Sequence, residues 1–245
     1  MLSSGENETR VGQASTVVRH AIRDQENLWS EVLKLSATVS AALTASVQAL
    51  RDNRADLARE VKIEEKAIDN WEVRIEQECV RILARYGPTA SDLRRVIAAM
   101  RISSELERMA DLAEHIANRV KKRVATAETT PVPGSLDALA TASLAQVRDS
   151  LEALARDDAE LAQAVIREDG GVDQLRRTVL RELKDAIRHD PDRVDTWLRL
   201  INTARNLERV ADHASNIAET VVYLKEGDII RHGGAGAGAG TPRNG

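Results

Sequence analysis

The sequence predicts an all-α protein made of two tandem, pseudo-symmetric three-helix bundles, six long helices in all. Three observations lead there. Structure-breaking residues are few: between Gln13 and Glu226 the 245-residue chain has only four glycines (Gly87, Gly134, Gly170, Gly171) and four prolines (Pro88, Pro131, Pro133, Pro191), and a sheet protein of this size would need many more turns. Alanine fills 36 positions, while aromatic residues number five (Trp29, Trp71, Tyr86, Trp197, Tyr223) with no Phe, so small side chains let helices approach closely. Finally, residues 106–117 (LERMADLAEHIA) and 207–218 (LERVADHASNIA) share eight identities in twelve. This is an internal duplication.

Each helix has its own warrant. Apolar residues recur at helical spacing from about Asp24 to Asp52, and Asp52-Asn53 offers a tight connection. A second helix runs from about Arg54 to Arg85 and stops at Tyr86-Gly87-Pro88. Thr89-Ala90-Ser91-Asp92 supplies N-cap candidates for a third, which reaches about Val124. The scheme then repeats after a linker over 127–134: about Ser135 to Arg156, about Ala159 to Arg188, a break at His189-Asp190-Pro191, and about Arg193 to Lys225. The expected organisation is a disordered tail over 1–13, a first repeat over 14–126, a second over 135–232, and a disordered Gly/Ala tail over 233–245. At 1.5 Å per residue the middle and last helices of each half are roughly 45 to 50 Å long.

Charge and apolar runs exclude several functions. A net charge of -4 leaves no electrostatic footprint for nucleic acid, so direct nucleic-acid binding is not expected. The uncharged run Leu35 to Leu50 carries Ser, Thr and Gln and is too short and too polar for a membrane span. Residues 1–13 have no apolar signal-peptide core, and the lone Cys79 excludes an internal disulfide. A soluble, cytoplasmic protein is expected.

Chemistry concentrates in four acidic i,i+4 pairs at repeat-equivalent positions. They are Glu65/Asp69 with Asp169/Asp173 on the second helices, and Glu107/Asp111 with Glu208/Asp212 on the third. Roughly six such pairs arise by chance in a chain this acidic, so the signal is their retention in both halves. Like charges at this spacing weaken a bare helix by a few tenths of a kcal/mol. A bridging cation would reverse that sign, and oxygen-only ligation suits hard ions such as Mg, Mn, Ca or iron. The third-helix pairs also continue columns of apolar residues, Leu93, Val96 and Met100 before Glu107, and Val194, Trp197 and Ile201 before Glu208, which points them toward the core. Against this, Arg108 and Arg209 stand ready to neutralise the carboxylates without metal. His115 and Asn216, one turn beyond Asp111 and Asp212, either complete a site or hydrogen-bond a neighbouring helix; His213 replaces Leu112, which argues against a role common to both sites. Gly170 and Gly171, between Asp169 and Asp173, cost a helix roughly 2 kcal/mol together and suggest a bulge or a close helix approach.

The chain resembles the PhoU family of phosphate-uptake regulators over about Asp24 to His232. The resemblance is carried by PTASDLR from Pro88, LERMAD from Leu106 to Asp111, REDGGVD from Arg167 to Asp173, LERVADHASNIAE from Leu207 to Glu219, and YLKEGDIIRH from Tyr223 to His232. It implies the same two-bundle fold and metal ligation by Glu65, Asp69, Glu107 and Asp111 in one half and Asp169, Asp173, Glu208 and Asp212 in the other, with iron, zinc, Mn or Mg as the ion. It further implies a cytoplasmic adaptor, a homodimer without enzymatic activity. Such an adaptor joins the ATPase and membrane components of the phosphate ABC transporter to a sensor histidine kinase, sits at the membrane only through those partners, and represses the phosphate regulon. The sequence departs from the family pattern in Ala110 and Ala211, where Gly is usual, in lacking Phe, and in Gly170-Gly171.

Two other readings compete. A di-iron enzyme of the bundle type needs a Glu-x-x-His motif on two helices, and the residues three before His20, His115, His189, His213 and His232 are Val17, Leu112, Ala186, Val210 and Ile229. A ligand-free structural bundle would leave the carboxylates freely replaceable. No Ser-His-Asp or Cys-His grouping and no Gly-rich phosphate loop supports catalysis by this chain.

Overall fold

The computed structural model describes residues 4–127 and 130–226, with side chains from residue 18 onward except those of 62–66. Among the described residues six α-helices follow in order: α1 (Ser4–Asp52), α2 (Ala55–Tyr86), α3 (Ala90–Ala125), α4 (Gly134–Arg156), α5 (Ala159–His189) and α6 (Val194–Glu226), the last entered through a 3-10 turn at Pro191–Arg193. There is no strand among the described residues. Helices α1, α2 and α3 pack on one another, as do α4, α5 and α6, and the halves meet through α3 against α6 and α1 against α4.

The outer helices each bury one narrow seam. On α2 the buried residues include Val61, Ile68, Ile75 and Ile82, and on α5 Val165, Val172 and Val179. Seven-residue spacing keeps them on one face of each helix, and each such side chain contributes roughly 1.5 to 3 kcal/mol on burial. The two seams superpose at the offset of 104 that places Asp69 on Asp173. The central helices are buried on more than one face, because each touches its own bundle and the other half. Ala110, Ala113 and Ala117 on α3 match Ala211, Ala214 and Ala218 on α6, all buried, and their small size permits that close approach.

Local chemistry explains where the helices stop. Gly87 takes a left-handed φ of 52° as the C-cap of α2 and donates its N–H to the Leu83 carbonyl, and Pro88 then bars continuation. Asp158 caps α5, accepting from the Leu161 N–H at 3.0 Å. Thr89 holds the N-cap position of α3, but its side chain makes no cap hydrogen bond. Between the first two helices, Asp24 accepts hydrogen bonds from Arg81 at 2.7 Å and Tyr86 at 2.8 Å. Those bonds, the Arg81 guanidinium first, hold its carboxyl below the usual range.

Three expectations change. Helix α1 begins at Ser4 rather than near Asp24, so residues 4–13, expected as a disordered tail, have helical backbone; the segment lacks proline, and a polar extension needs no core to continue a helix already nucleated downstream. The expected tail over 233–245 lies outside the described residues. Within α1, Val18–Asp52 contains a window long and apolar enough, by length and composition only, to cross a membrane, yet half of that window is buried inside the protein. It is packed as a core helix against α2, α3 and α4.

Gly170 and Gly171 mark neither a bulge nor a close approach, since α5 runs through them unbroken and a Cβ added at either meets no atom within 4 Å. Gly170→Ala and Gly171→Ala should each therefore stabilise the protein by about 0.5 to 1 kcal/mol, read as a rise in the urea midpoint. A drop in either would mean that the backbone there is not plain helix. Cys79 is fully buried, and burial pushes its thiol up to about 12. At pH 8 it should resist alkylation in the folded chain and react once denaturant is added; labelling within minutes without denaturant would contradict the packing.

Candidate metal centre

In the first half the fold gathers three of the four expected side chains. Asp69 from α2 and Glu107 and Asp111 from α3 bring carboxylate oxygens within 4.8 Å of one another, and no other three ligand-type side chains do so among the described residues. The Glu65 side chain lies outside the described residues. Glu72, one turn beyond Asp69, joins the same field: burial, then the charges of Glu76 and Asp69, push its carboxyl up. Burial, then Asp111 and Glu72, likewise push Glu107 up. Arg108 opposes both shifts, but none of Asp69, Glu107 and Asp111 makes an ion pair among the described residues. Three carboxylates gathered from two helices, Glu107 among them with its carboxyl raised by burial and by its acidic neighbours, are an all-oxygen donor set that fits a hard cation.

The second half differs. Arg176 from α5 places its Nε 2.9 Å from Glu208 Oε1 and 3.9 Å from Asp173 Oδ1, and Arg177 adds a 3.3 Å pair to Asp173. Ser215 donates to Asp169 at 3.0 Å. Burial raises Glu208 and Asp212, and the neighbouring aspartates add to both shifts while Arg176 works against them. A crevice of about 470 Å³ beside this group is lined by Asp169, Arg209, Asp212, His213, Ser215 and Asn216.

Some expectations about side-chain roles are revised by these placements. His115 is exposed and does not join the first cluster. His213 and Asn216 reach across to the other half instead: His213 Nδ1 lies 2.6 Å from Glu105 Oε2 and Asn216 donates to the same oxygen at 3.1 Å. Burial opposes ionisation of Glu105, but those two hydrogen bonds win and hold its carboxyl below its usual value. The apolar columns only partly point inward, since Val96 and Ile201 are buried while Leu93 and Val194 are more than a third exposed. The neutralising cation of the second half is Arg176 rather than Arg209, and the added acid of the first is Glu72. Sequence reasoning missed both because the repeat does not retain the pair Glu72/Glu76, whose equivalents are Arg176 and Leu180, and only retained acidic pairs carried the signal. Extending the repeat alignment by three residues past Asp69 and Asp173 would have found them.

The PhoU domain family matches this chain twice, over residues 32–120 and 136–221, once in each half. The phosphate-specific transport system accessory protein PhoU homolog of Pseudomonas aeruginosa is 37% identical over 207 residues, covering 84% of this chain and 86% of that protein. The accessory protein PhoU of Escherichia coli K12 is 32% identical over 209 residues, covering 85% and 86%. Among solved structures, the crystal structure of PhoU from Pseudomonas aeruginosa superposes with a TM-score of 0.81 at 36% identity, covering 84% of this chain and 99% of that one. The phosphate transport system regulatory protein PhoU from Streptococcus pneumoniae gives 0.78 at 27% identity, covering 86% and 100%.

If the first cluster is held together against its own repulsion, relieving one charge should help when no cation is present. In chelator-treated protein at pH 7, Asp111→Asn should unfold at the same temperature as the parent or higher, a gain of up to about 1 kcal/mol. A loss larger than that would show Asp111 to be a bonded structural group, not a strained ligand.

Proposed function

The chain belongs to the PhoU family, and from that premise we propose that it is an accessory regulator of phosphate transport, an adaptor between the transporter and a membrane-bound sensor histidine kinase. The observation that carries the reading is coverage: PhoU domains match both halves, and relatives named as accessory proteins of the phosphate-specific transport system align along more than four-fifths of both chains. The adaptor acts in the cytoplasm as a homodimer, reaches the membrane through its partners, and represses the phosphate-starvation response when phosphate is plentiful. It works by contact rather than turnover: its lone thiol is buried, His115 and His189 are exposed, and His213 is engaged with Glu105 across the two halves.

The carboxylates Glu65, Asp69, Glu107 and Asp111 are the proposed ligands of a cation in the first half. Asp169, Asp173, Glu208 and Asp212 are their counterparts in the second. A bound Mn, Mg, zinc or iron ion would supply positive charge that cancels repulsion between α2 and α3. The protein's own part is to hold Asp69, Glu107 and Asp111 within reach of one ion and to shield them by packing. Binding that favours the folded state stabilises it by linkage, roughly 2.7 kcal/mol at a hundredfold excess of ion over its dissociation constant.

Deleting the gene should raise phosphate-starvation gene expression in phosphate-rich medium. Transporter or kinase components should co-purify with the intact protein. Wild-type expression in the deletion strain, with neither partner recovered, would overturn the adaptor reading.

A further inference from the structure

The duplication preserves packing but not charge. At the offset that places Asp69 on Asp173 and Ile75 on Val179, Glu72 falls on Arg176. The repeat position that adds another carboxylate to the first half therefore puts a guanidinium into the second. Arg176 is not a distant surface charge: its side chain is about one quarter exposed, and its Nε stands 2.9 Å from Glu208 and 3.9 Å from Asp173. Arginine stays protonated at any pH a folded protein survives, so it leaves such a position only by swinging out.

Other carboxylate oxygens of the second half are engaged as well. Arg177 pairs with Asp173, and Ser215 donates to Asp169. The imidazole of His213, next to Asp212 in sequence, is turned toward Glu105 of the other half. In the first half Asp69, Glu107 and Asp111 come within 4.8 Å of one another and make no ion pair among the described residues. The structure assigns Arg176 as the built-in counter-ion of the second half, filling the electrostatic place of a metal ion, so that the chain takes up metal in its first half only.

This inference rests on the reading of the carboxylates as ligands, and it departs from the two-site pattern that the repeated acidic pairs suggest. It does not follow from the acidic residues alone, which are equally numerous in the two sets of pairs. It follows from what the fold brings up to them. A cation entering the second group would meet the Arg176 guanidinium beside Glu208 and two aspartates already hydrogen-bonded, whereas one entering the first would meet three carboxylates that make no ion pair among the described residues.

The test counts bound Mn²⁺ on chelator-stripped, full-length protein, by equilibrium dialysis with metal analysis, alongside thermal unfolding. The parent should bind one equivalent, Asp111→Asn should lose it, and Asp212→Asn should keep it. Arg176→Glu, which restores the acid found at position 72, should bind two. In metal-free buffer Arg176→Gln should unfold at a lower temperature than the parent, and Mn²⁺ should raise its unfolding temperature by more than it raises the parent's. Two equivalents in the parent, one equivalent that disappears with Asp212→Asn, no added site in Arg176→Glu, or an unchanged metal-free unfolding temperature for Arg176→Gln would each overturn the assignment. A parent that binds nothing while Arg176→Glu binds one equivalent would refute metal uptake by the first half and with it the one-site claim, leaving Arg176 as the group that closes the second.

Discussion

Helices α3 and α6 must bury two faces at once. Each packs against two helices of its own bundle and against the other across the middle of the molecule. Buried positions on α3, among them Val96, Ile102, Leu106, Met109, Leu112, Ile116 and Val120, sweep rather more than half the circumference at 100° per residue. What remains for polar groups is a strip, and Glu107 and Asp111 stand at its edge, where α2 approaches. The acidic pairs are therefore half-buried by necessity. They are close enough to the core for burial to raise Glu107, Glu208 and Asp212, and open enough for an ion or an arginine to reach them.

This constraint explains which features could be read from the sequence. Packing repeats itself, so the duplicated segment with its buried alanines, the seven-residue seams of α2 and α5, and the Gly-Pro stop after Tyr86 all left periodic or punctuating marks. The six helices follow from those marks. The start of α1 left none, because a polar helical extension buries nothing and has no apolar rhythm. Gly170-Gly171 misled for a related reason: a glycine pair signals strain or close approach only where space is short, and α5 has open space there.

The site was half legible. Asp69, Glu107 and Asp111 were visible as members of repeated pairs, and the fold does bring them together. Glu72 and Arg176 were invisible because their role comes from the turn after Asp69 and Asp173, a relation set by how α2 faces α3 and α5 faces α6. The inward columns illustrate the same limit. Leu93 and Val194 share a helix face with Glu107 and Glu208, yet both lie near helix starts, where the partner helix no longer covers them.

Core positions and strip positions diverge at different rates for a physical reason. Exchanging one buried aliphatic residue for another of similar size, as at Met109 and Val210, costs little if volume is kept, and an unpaired charge there would cost several kcal/mol. On the strip a carboxylate and a guanidinium can exchange at modest cost, since each is partly hydrated and finds partners across the groove. The contact between halves shows the result. Glu105 on α3 meets His213 and Asn216, but its repeat equivalent, Asn206, is buried with its amide nitrogen unpartnered, and the repeat equivalent of His213 is Leu112, which has no polar group to offer. An anion bonded to an imidazole and an amide on one side, and a buried amide nitrogen without a partner on the other, cannot be related by a true two-fold axis. The chemical asymmetry between the clusters thus extends into the interface that joins the bundles, which gives each half a distinct electrostatic face on a common scaffold.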